Sequence, residues 1–118
     1  MHPQLELLLE IQDLRAQSSS LHDGSDRVVE SKVFDVEIED AIRLLDEKVV
    51  ELEERLSPEV QQRYRMITEK GDRAVVPVLS GICYGCFINV PTAWSSETDR
   101  NRRMAVCENC GRFLYHVD

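Results

Sequence analysis

Cys83-Tyr84-Gly85-Cys86, then twenty residues, then Cys107-Glu108-Asn109-Cys110: these two C-x-x-C pairs decide the fold of the last third of the chain. Each pair turns the backbone tightly enough to aim two sulfurs at one ion. Two such knuckles close a tetrahedron with metal–sulfur distances near ~2.3 Å. Gly85 and Gly111 stand where a knuckle needs permissive backbone. The spacing predicts a four-thiolate structural zinc site on Cys83, Cys86, Cys107 and Cys110, and iron would fit the same sulfurs. A disulfide framework would need an exported chain, and a redox pair would need a βαβ context. A catalytic zinc would need an open position, which four cysteines close. The flanks, residues 74–78, 87–90, 103–106 and 112–117, read as short strands, so residues 71–118 form a zinc ribbon. A ribbon this small has little core of its own. The metal therefore supplies folding energy, about 10–16 kcal/mol apparent in small zinc modules.

Upstream of the ribbon the composition changes at Gly71. Residues 1–70 hold 17 acids and 9 lysines or arginines and carry the whole net charge of −8, while residues 71–118 balance five acids with five arginines. This sets two units, 1–70 and 71–118. The acidity argues against a generic coat for phosphate backbones and against anionic membranes. The 42% hydrophobic content is too high for a disordered tail. No stretch approaches the ~18 apolar residues of a membrane span. The opening MHPQLELLLEIQD lacks the basic run of a secretory signal. The expectation is a cytoplasmic protein without a membrane partner.

The first seventy residues read as helices. Leu7, Ile11, Leu14 and Leu21 form a heptad seam with Ser18 in its gap, and Ile38, Ile42, Leu45, Val49, Leu52 and Leu56 form a longer, unbroken one. Glu39–Arg43 and Glu51–Arg55 have the favourable i,i+4 order. His22-Asp23-Gly24-Ser25-Asp26 is turn chemistry, which predicts a loop over about residues 22–34. Phe34, Val36 and Ile38 alternate with acids and would suit a strand or a helix start. Helix is the better reading, because a strand there would have no partner. The second arm, of ~22 residues, would be roughly 33 Å long. Ser57-Pro58 predicts the start of a third, short helix that turns Val60, Tyr64 and Ile67 inward and stops at Lys70-Gly71. The fold class is α plus small β: an antiparallel helical hairpin, a short helix and the ribbon. The seams either close on one another or pair with a second chain, which would make a homodimer.

No enzyme constellation accompanies the cysteines. There is no phosphate-binding glycine loop or nucleophile elbow, and His2, His22 and His116 are scattered. One further patch draws notice. Arg100, Arg102, Arg103 and Arg112, with Trp94 and the aromatics Tyr84, Phe87 and Tyr115, have the composition of a single-stranded nucleic-acid surface or a protein hot spot. The competing reading puts Phe87 and Tyr115 in the minimal core and pairs the arginines with acids. The neutral ribbon and its acidic neighbour favour that reading.

Taken together, Ala74-Val75-Val76-Pro77-Val78, Gly81, Cys83-x-Gly85-Cys86, Val90-Pro91, Val106-Cys107-x-Asn109-Cys110-Gly111-Arg112 and Leu114-Tyr115 resemble the bacterial four-cysteine zinc-ribbon proteins. In these a long N-terminal coiled-coil hairpin precedes the ribbon. Tyr64 and Lys70-Gly71 are similar to the family's junction, and the resemblance covers about residues 56–116. It implies a zinc-binding adaptor for protein or nucleic acid, with the four cysteines as ligands. The implied partners are RNA-polymerase sigma factors or flagellar and secretion machinery. Phe87 departs from the polar residue or histidine usual after the second cysteine, and the hairpin here is much shorter.

Three functions follow as expectations. The first is a non-enzymatic adaptor that holds a protein partner on its acidic hairpin. The second is a nucleic-acid-binding ribbon using Arg100, Arg102, Arg103, Arg112 and Trp94. The third is a polymerase-associated transcription factor that presents Asp23, Asp26, Asp35 and Glu37 at the hairpin tip.

Overall fold

Three helices and a small sheet follow one another in the computed structural model, which describes residues 1–25, 32–71, 73–91 and 101–117. Helix α1 spans Pro3–Ser25, α2 Lys32–Glu54 and α3 Pro58–Glu69. Strands β1 (Val75–Leu79), β2 (Ile82–Cys83) and β3 (Phe113–His116) complete the fold. No helix is long and apolar enough to cross a membrane, among the described residues.

His2 closes the start of α1: its Nδ1 accepts from the Gln4 N–H at 3.1 Å and its carbonyl from Glu6 N at 3.1 Å. The end of α1 corrects the expected loop. Helix runs through His22, Asp23, Gly24 and Ser25, and α2 is already helical at Lys32, while residues 26–31 lie outside those described. Residues of turn type also suit the last turn of a helix, where carbonyls lack intrahelical partners. The stretch from Phe34 to Ile38 is helix, as the unpartnered-strand argument required.

The α2 seam packs as its period predicts. Ile42, Val49, Leu52 and Leu56 are buried. Against it lie Leu7 and Ile11 of α1, and the gap in the α1 seam is filled by a polar contact: buried Ser18 donates its hydroxyl to Asp46 Oδ1 at 2.8 Å. Gln4, at the start of α1, reaches the other end of α2. Its Nε2 donates to the Arg55 carbonyl at 3.4 Å and its Oε1 accepts from Ser57 N at 2.7 Å. The two helices therefore run in opposite senses. Helix α3 starts at Pro58, as predicted, with Ser57 extended before it, but the Ser57 side chain makes no capping bond. Tyr64 and Ile67 of α3 face inward, and Gly71 takes the left-handed φ of 79° past its end.

The sheet order is β2-β1-β3. β1 pairs antiparallel with β2 (Val78 opposite Cys83) and parallel with β3 (Val76 opposite Leu114). Two expected strands are reduced to single bridges: Asn89 pairs with Ile82 and Val106 with Phe113. Each knuckle turns the chain sharply enough to leave room for one ladder pair only. β1 is covered on both faces. Val75 joins Leu5, Leu8, Ile11, Tyr64, Ile67 and Phe113 in one buried cluster, while Val76 and Val78 join Cys83, Val90, Cys107 and Leu114 in another. Leu5 and Leu8 lie off the heptad seam yet are almost fully buried, because the base of α1 packs on the sheet as well as on α2. Each such side chain is worth about 1.5–3 kcal/mol of burial.

Main-chain groups of β1 are completed by a helix. Val75 N donates to Gln12 Oε1 at 3.0 Å, and Gln12 Nε2 donates to the Val75 carbonyl at 3.2 Å. Beyond Tyr84, whose N–H reaches the Pro77 carbonyl at 3.0 Å, β2 has turned away, and the Gln12 amide stands where a strand would continue. Asn101 serves β3 in the same way. Its Nδ2 donates to the His116 carbonyl at 2.8 Å and its Oδ1 accepts from His116 N at 2.7 Å. The Asn101 carbonyl accepts from His2 N at 2.6 Å, which ties this corner to the start of α1.

Candidate metal centre

The two C-x-x-C turns are copies of one backbone device. In the first, Phe87 N donates to the Cys83 carbonyl at 2.6 Å; in the second, Gly111 N donates to the Cys107 carbonyl at 2.8 Å. Each knuckle is sealed behind its first cysteine, by Cys83 N to the Ile88 carbonyl at 3.0 Å and by Cys107 N to the Arg112 carbonyl at 2.9 Å. The residue after the second cysteine is left-handed in both, with φ 62° at Phe87 and 76° at Gly111. Glycine takes that conformation freely, whereas a side chain there costs about 1–2 kcal/mol.

The knuckles face each other across β1 and β3, so that sequence-distant sulfurs become neighbours. Cys83 Sγ lies 3.8 Å from Cys110 Sγ, and Cys86 Sγ lies 3.6 Å from Cys107 Sγ. All four sulfurs lie within 4.8 Å of one another. A tetrahedron with metal–sulfur distances of ~2.3 Å has edges of about 3.8 Å. A disulfide would need sulfurs at about 2.05 Å, and all four cysteines are free thiols. The four residues predicted from spacing are thus brought together in positions able to hold one metal ion.

The thiols respond unequally to this crowding. Burial pushes Cys83 up and drives Cys110 up to about 12, while a hydrogen bond from the Asn109 side chain is the main cause that lowers Cys86 to about 7. Four thiolates cannot share this space on their own, and a divalent cation supplies the charge that lets them ionise together. The donor set and the geometry fit such an ion.

Two arginines brace the knuckles, and the sequence had marked only one of them. Arg112 Nη1 donates to the Gly85 carbonyl at 2.9 Å, from one knuckle to the other. Arg63 of α3 donates to the Gly111 carbonyl at 3.3 Å and links the helices to the second knuckle. A Cβ on Gly85 would lie 2.7 Å from Arg112 Nη1 and 3.1 and 3.2 Å from the Val76 methyls. An added Cβ would push the Arg112 guanidinium off its acceptor and press on Val76, so close approach, rather than dihedral angle, favours glycine there. No spacing rule finds Arg63, which lies 48 residues from its acceptor.

Of the residues grouped as a nucleic-acid patch, Arg102 and Arg103 are exposed, Arg112 is half-buried over Gly85, and Arg100 and Trp94 lie outside the described residues. Phe87 and Tyr84 are exposed rather than core, at 71% and 41%, whereas Tyr115 is half-buried. Asp26, Asp35 and their neighbours in the supposed tip have no described side chains, apart from exposed Asp23 and Glu37.

A second feature lies on the helix pair. A groove of about 810 Å³ is lined by the apolar Ile38, Ile42 and Val50, by the acids Glu39, Asp46 and Glu47, and by Arg43 and His22. Three acids against one arginine make the lining acidic.

No protein-family model matches the chain, and no curated protein matches it. Among solved structures, the HP0958 protein of Helicobacter pylori is 16% identical with a TM-score of 0.57, over 97% of this chain and 76% of that one. The CT398 protein of Chlamydia trachomatis is 19% identical with a TM-score of 0.47, over 96% and 75% of the two chains. The first likeness is one of fold.

Proposed function

We propose that this chain is a non-enzymatic adaptor, folded around a structural zinc ion, whose helical hairpin holds a basic amphipathic helix of a protein partner. Cys83, Cys86, Cys107 and Cys110 hold the ion and close its coordination sphere, so it organises the ribbon and leaves no position for substrate. A reducing, cytoplasmic setting suits four thiols reserved for a metal.

The observation that carries the partner reading is the groove. Its lining combines the apolar Ile38, Ile42 and Val50 with the acids Glu39, Asp46 and Glu47, a composition that suits the helix-in-groove mode, in which an apolar stripe is buried and flanking charges set orientation. The resemblance read from the cysteine run nominates a sigma factor or a flagellar or secretion subunit. The nucleic-acid alternative has less behind it, since Arg112 is engaged at Gly85.

The test is capture from extract of the source cell, with and without nuclease, with wild type compared against the Glu39→Lys/Glu47→Lys double variant, and with zinc measured in both. The reading expects a protein retained by the wild type and lost by the variant, with zinc content equal. An unchanged set of captured proteins, or capture that disappears on nuclease treatment alone, rejects it.

A further inference from the structure

The groove is one end of a longer trough between α1 and α2, and a helix already lies in the other end. Toward the base, Tyr64 of α3 bridges both walls: its hydroxyl accepts from Arg15 Nη1 of α1 at 2.9 Å and is hydrogen-bonded to Glu53 of α2. Tyr64 and Ile67 share a buried cluster there with Ile11, Val49 and Leu52. Helix α3 stops at Glu69. At that end a hollow of about 320 Å³ begins, lined by Thr68 and Glu69 of α3 together with Asp46, Val49 and Val50 of α2. The 810 Å³ groove shares Asp46 and Val50 with it and runs on along α2 to Ile38, with His22 of α1 on its other side. Among its described lining residues none comes from α3. Ile38, Ile42 and Val50 nonetheless recur at helical spacing along one stripe of α2, as a covered face would. Val50 is 54% exposed. The trough thus carries a helix over its lower half and leaves surface of the same kind above it.

We propose, resting on the groove reading above, that the partner helix docks end to end with α3, its N-terminus against the last turn of α3 and its C-terminus toward Ile38, so that binding completes a three-helix bundle with α1 and α2. The length follows from α2. The stripe from Ile38 to Val50 rises about 18 Å, so an occupant of about twelve residues fills it. The direction follows from charges in the lining itself. Where α3 ends, Arg15 and Arg65 stand among the acids Asp46, Glu53 and Glu69. At the far end the one arginine, Arg43, is held by Asp40 at 3.4 Å, and among the described residues no cation pairs with Glu39 or Glu47. This gradation suits a helix with acids in its first turn and lysines or arginines in its last, which is also the arrangement its own dipole favours. The end of α3 points the same way. Its last turn contains no basic residue, and the negative end of its dipole attracts the N-terminus of a following helix. A second copy of α2 suits the groove poorly, because its exposed face would set Glu39 and Glu47 against the same acids.

The test selects random peptides of about fourteen residues, displayed on phage, against the zinc-loaded full chain. The strongest binders are synthesised with a nitroxide at one end or the other, and paramagnetic broadening of the protein's assigned amide signals reads their direction. A label at the peptide N-terminus should erase Thr68 and Val50 and spare Ile38, and a label at its C-terminus should do the reverse. Binding should weaken about tenfold or more on Val50→Asp and on Glu39→Lys/Glu47→Lys. Glu39, Glu47 and Val50 are exposed, so both proteins should melt within a few degrees of the wild type. Peptides that the double variant loses, but whose labels report the opposite direction or leave Thr68 untouched from both ends, overturn the proposal and leave the groove reading standing. Peptides that bind the double variant as tightly as the wild type, or a selection that enriches none, reject the groove reading and the proposal with it. A wild-type dimer that the double variant splits in sedimentation gives the groove to a second copy and likewise overturns both.

Discussion

Gln12 offers a sharp test of how the helices hold the sheet. Its side-chain amide supplies both hydrogen bonds to Val75, at 3.0 and 3.2 Å, and Val75 is only 2% exposed. Removing the amide strands one N–H and one carbonyl. An unsatisfied buried group costs about 1–3 kcal/mol, and a bond that water can replace costs nearer 0.5–1.5. Gln12→Leu fills the space and keeps water out, so both groups are orphaned and the loss should be about 2–4 kcal/mol. Gln12→Ala opens a space that water can enter, so its loss should be smaller, about 1–2 kcal/mol. Gln12→Glu keeps the acceptor for the Val75 N–H but turns an oxygen toward its carbonyl, and should fall between the two. Helix propensity does not confound the series, since alanine, leucine, glutamate and glutamine all favour helix. Urea unfolding with zinc saturating reads the three midpoints. A Gln12→Leu protein within about 0.5 kcal/mol of wild type, or one more stable than Gln12→Ala, refutes the reasoning.

Two other outcomes are expected. Stripping the metal with a strong chelator should lower the helical circular dichroism as well as the sheet signal, because Val75 and Phe113 share a buried cluster with Leu5, Leu8 and Ile11. The roughly 10–16 kcal/mol of zinc binding is comparable to a whole domain's stability, and helices unaffected by metal loss would contradict this. At high pH, the Tyr64 hydroxyl matters. Burial, then its hydrogen bond to Glu53, raises it to about 12 against the opposing charge of Arg15. The folded form keeps the proton longer than the unfolded chain, so this contribution is whole below about pH 10 and is lost as pH rises toward 12. Tyr64→Phe should flatten the decline of urea midpoints across that window, and an identical slope in both proteins would rule the tyrosine out.

Periodicity and spacing reveal a particular part of this molecule. The four cysteines, the α2 seam and the α3 residues Tyr64 and Ile67 could be read from sequence because each obeys a rule of fixed offset. Leu5 and Leu8 could not be placed by the heptad, since they answer to the sheet, a second layer of which α1 carries no separate sign. The parallel pairing of Val75–Val78 with Phe113–His116 joins segments almost forty residues apart, and no local pattern records it. Gln4, Gln12 and Asn101 look like solvent-facing polar residues until the main chain they satisfy is in place. Phe87 read as core or interface by its size, and only its dihedral angle and exposure separate the two.

The way the sheet's rims are occupied limits how anything can attach to it. The outer side of β2 is met by residues 88–90, through Cys83 N to the Ile88 carbonyl and Val90 N to the Gly81 carbonyl. The outer side of β3 is met by the Ala105 carbonyl, which accepts from Leu114 N, and by the Asn101 amide at His116. A guest peptide adding itself as a further strand needs a row of open N–H and carbonyl groups. The described residues offer it no such row. Anything that docks on the described sheet must therefore do so through side chains, which would make such a contact selective for what a partner displays rather than for any extended backbone, and the same closure protects a small three-stranded sheet from pairing with its own kind.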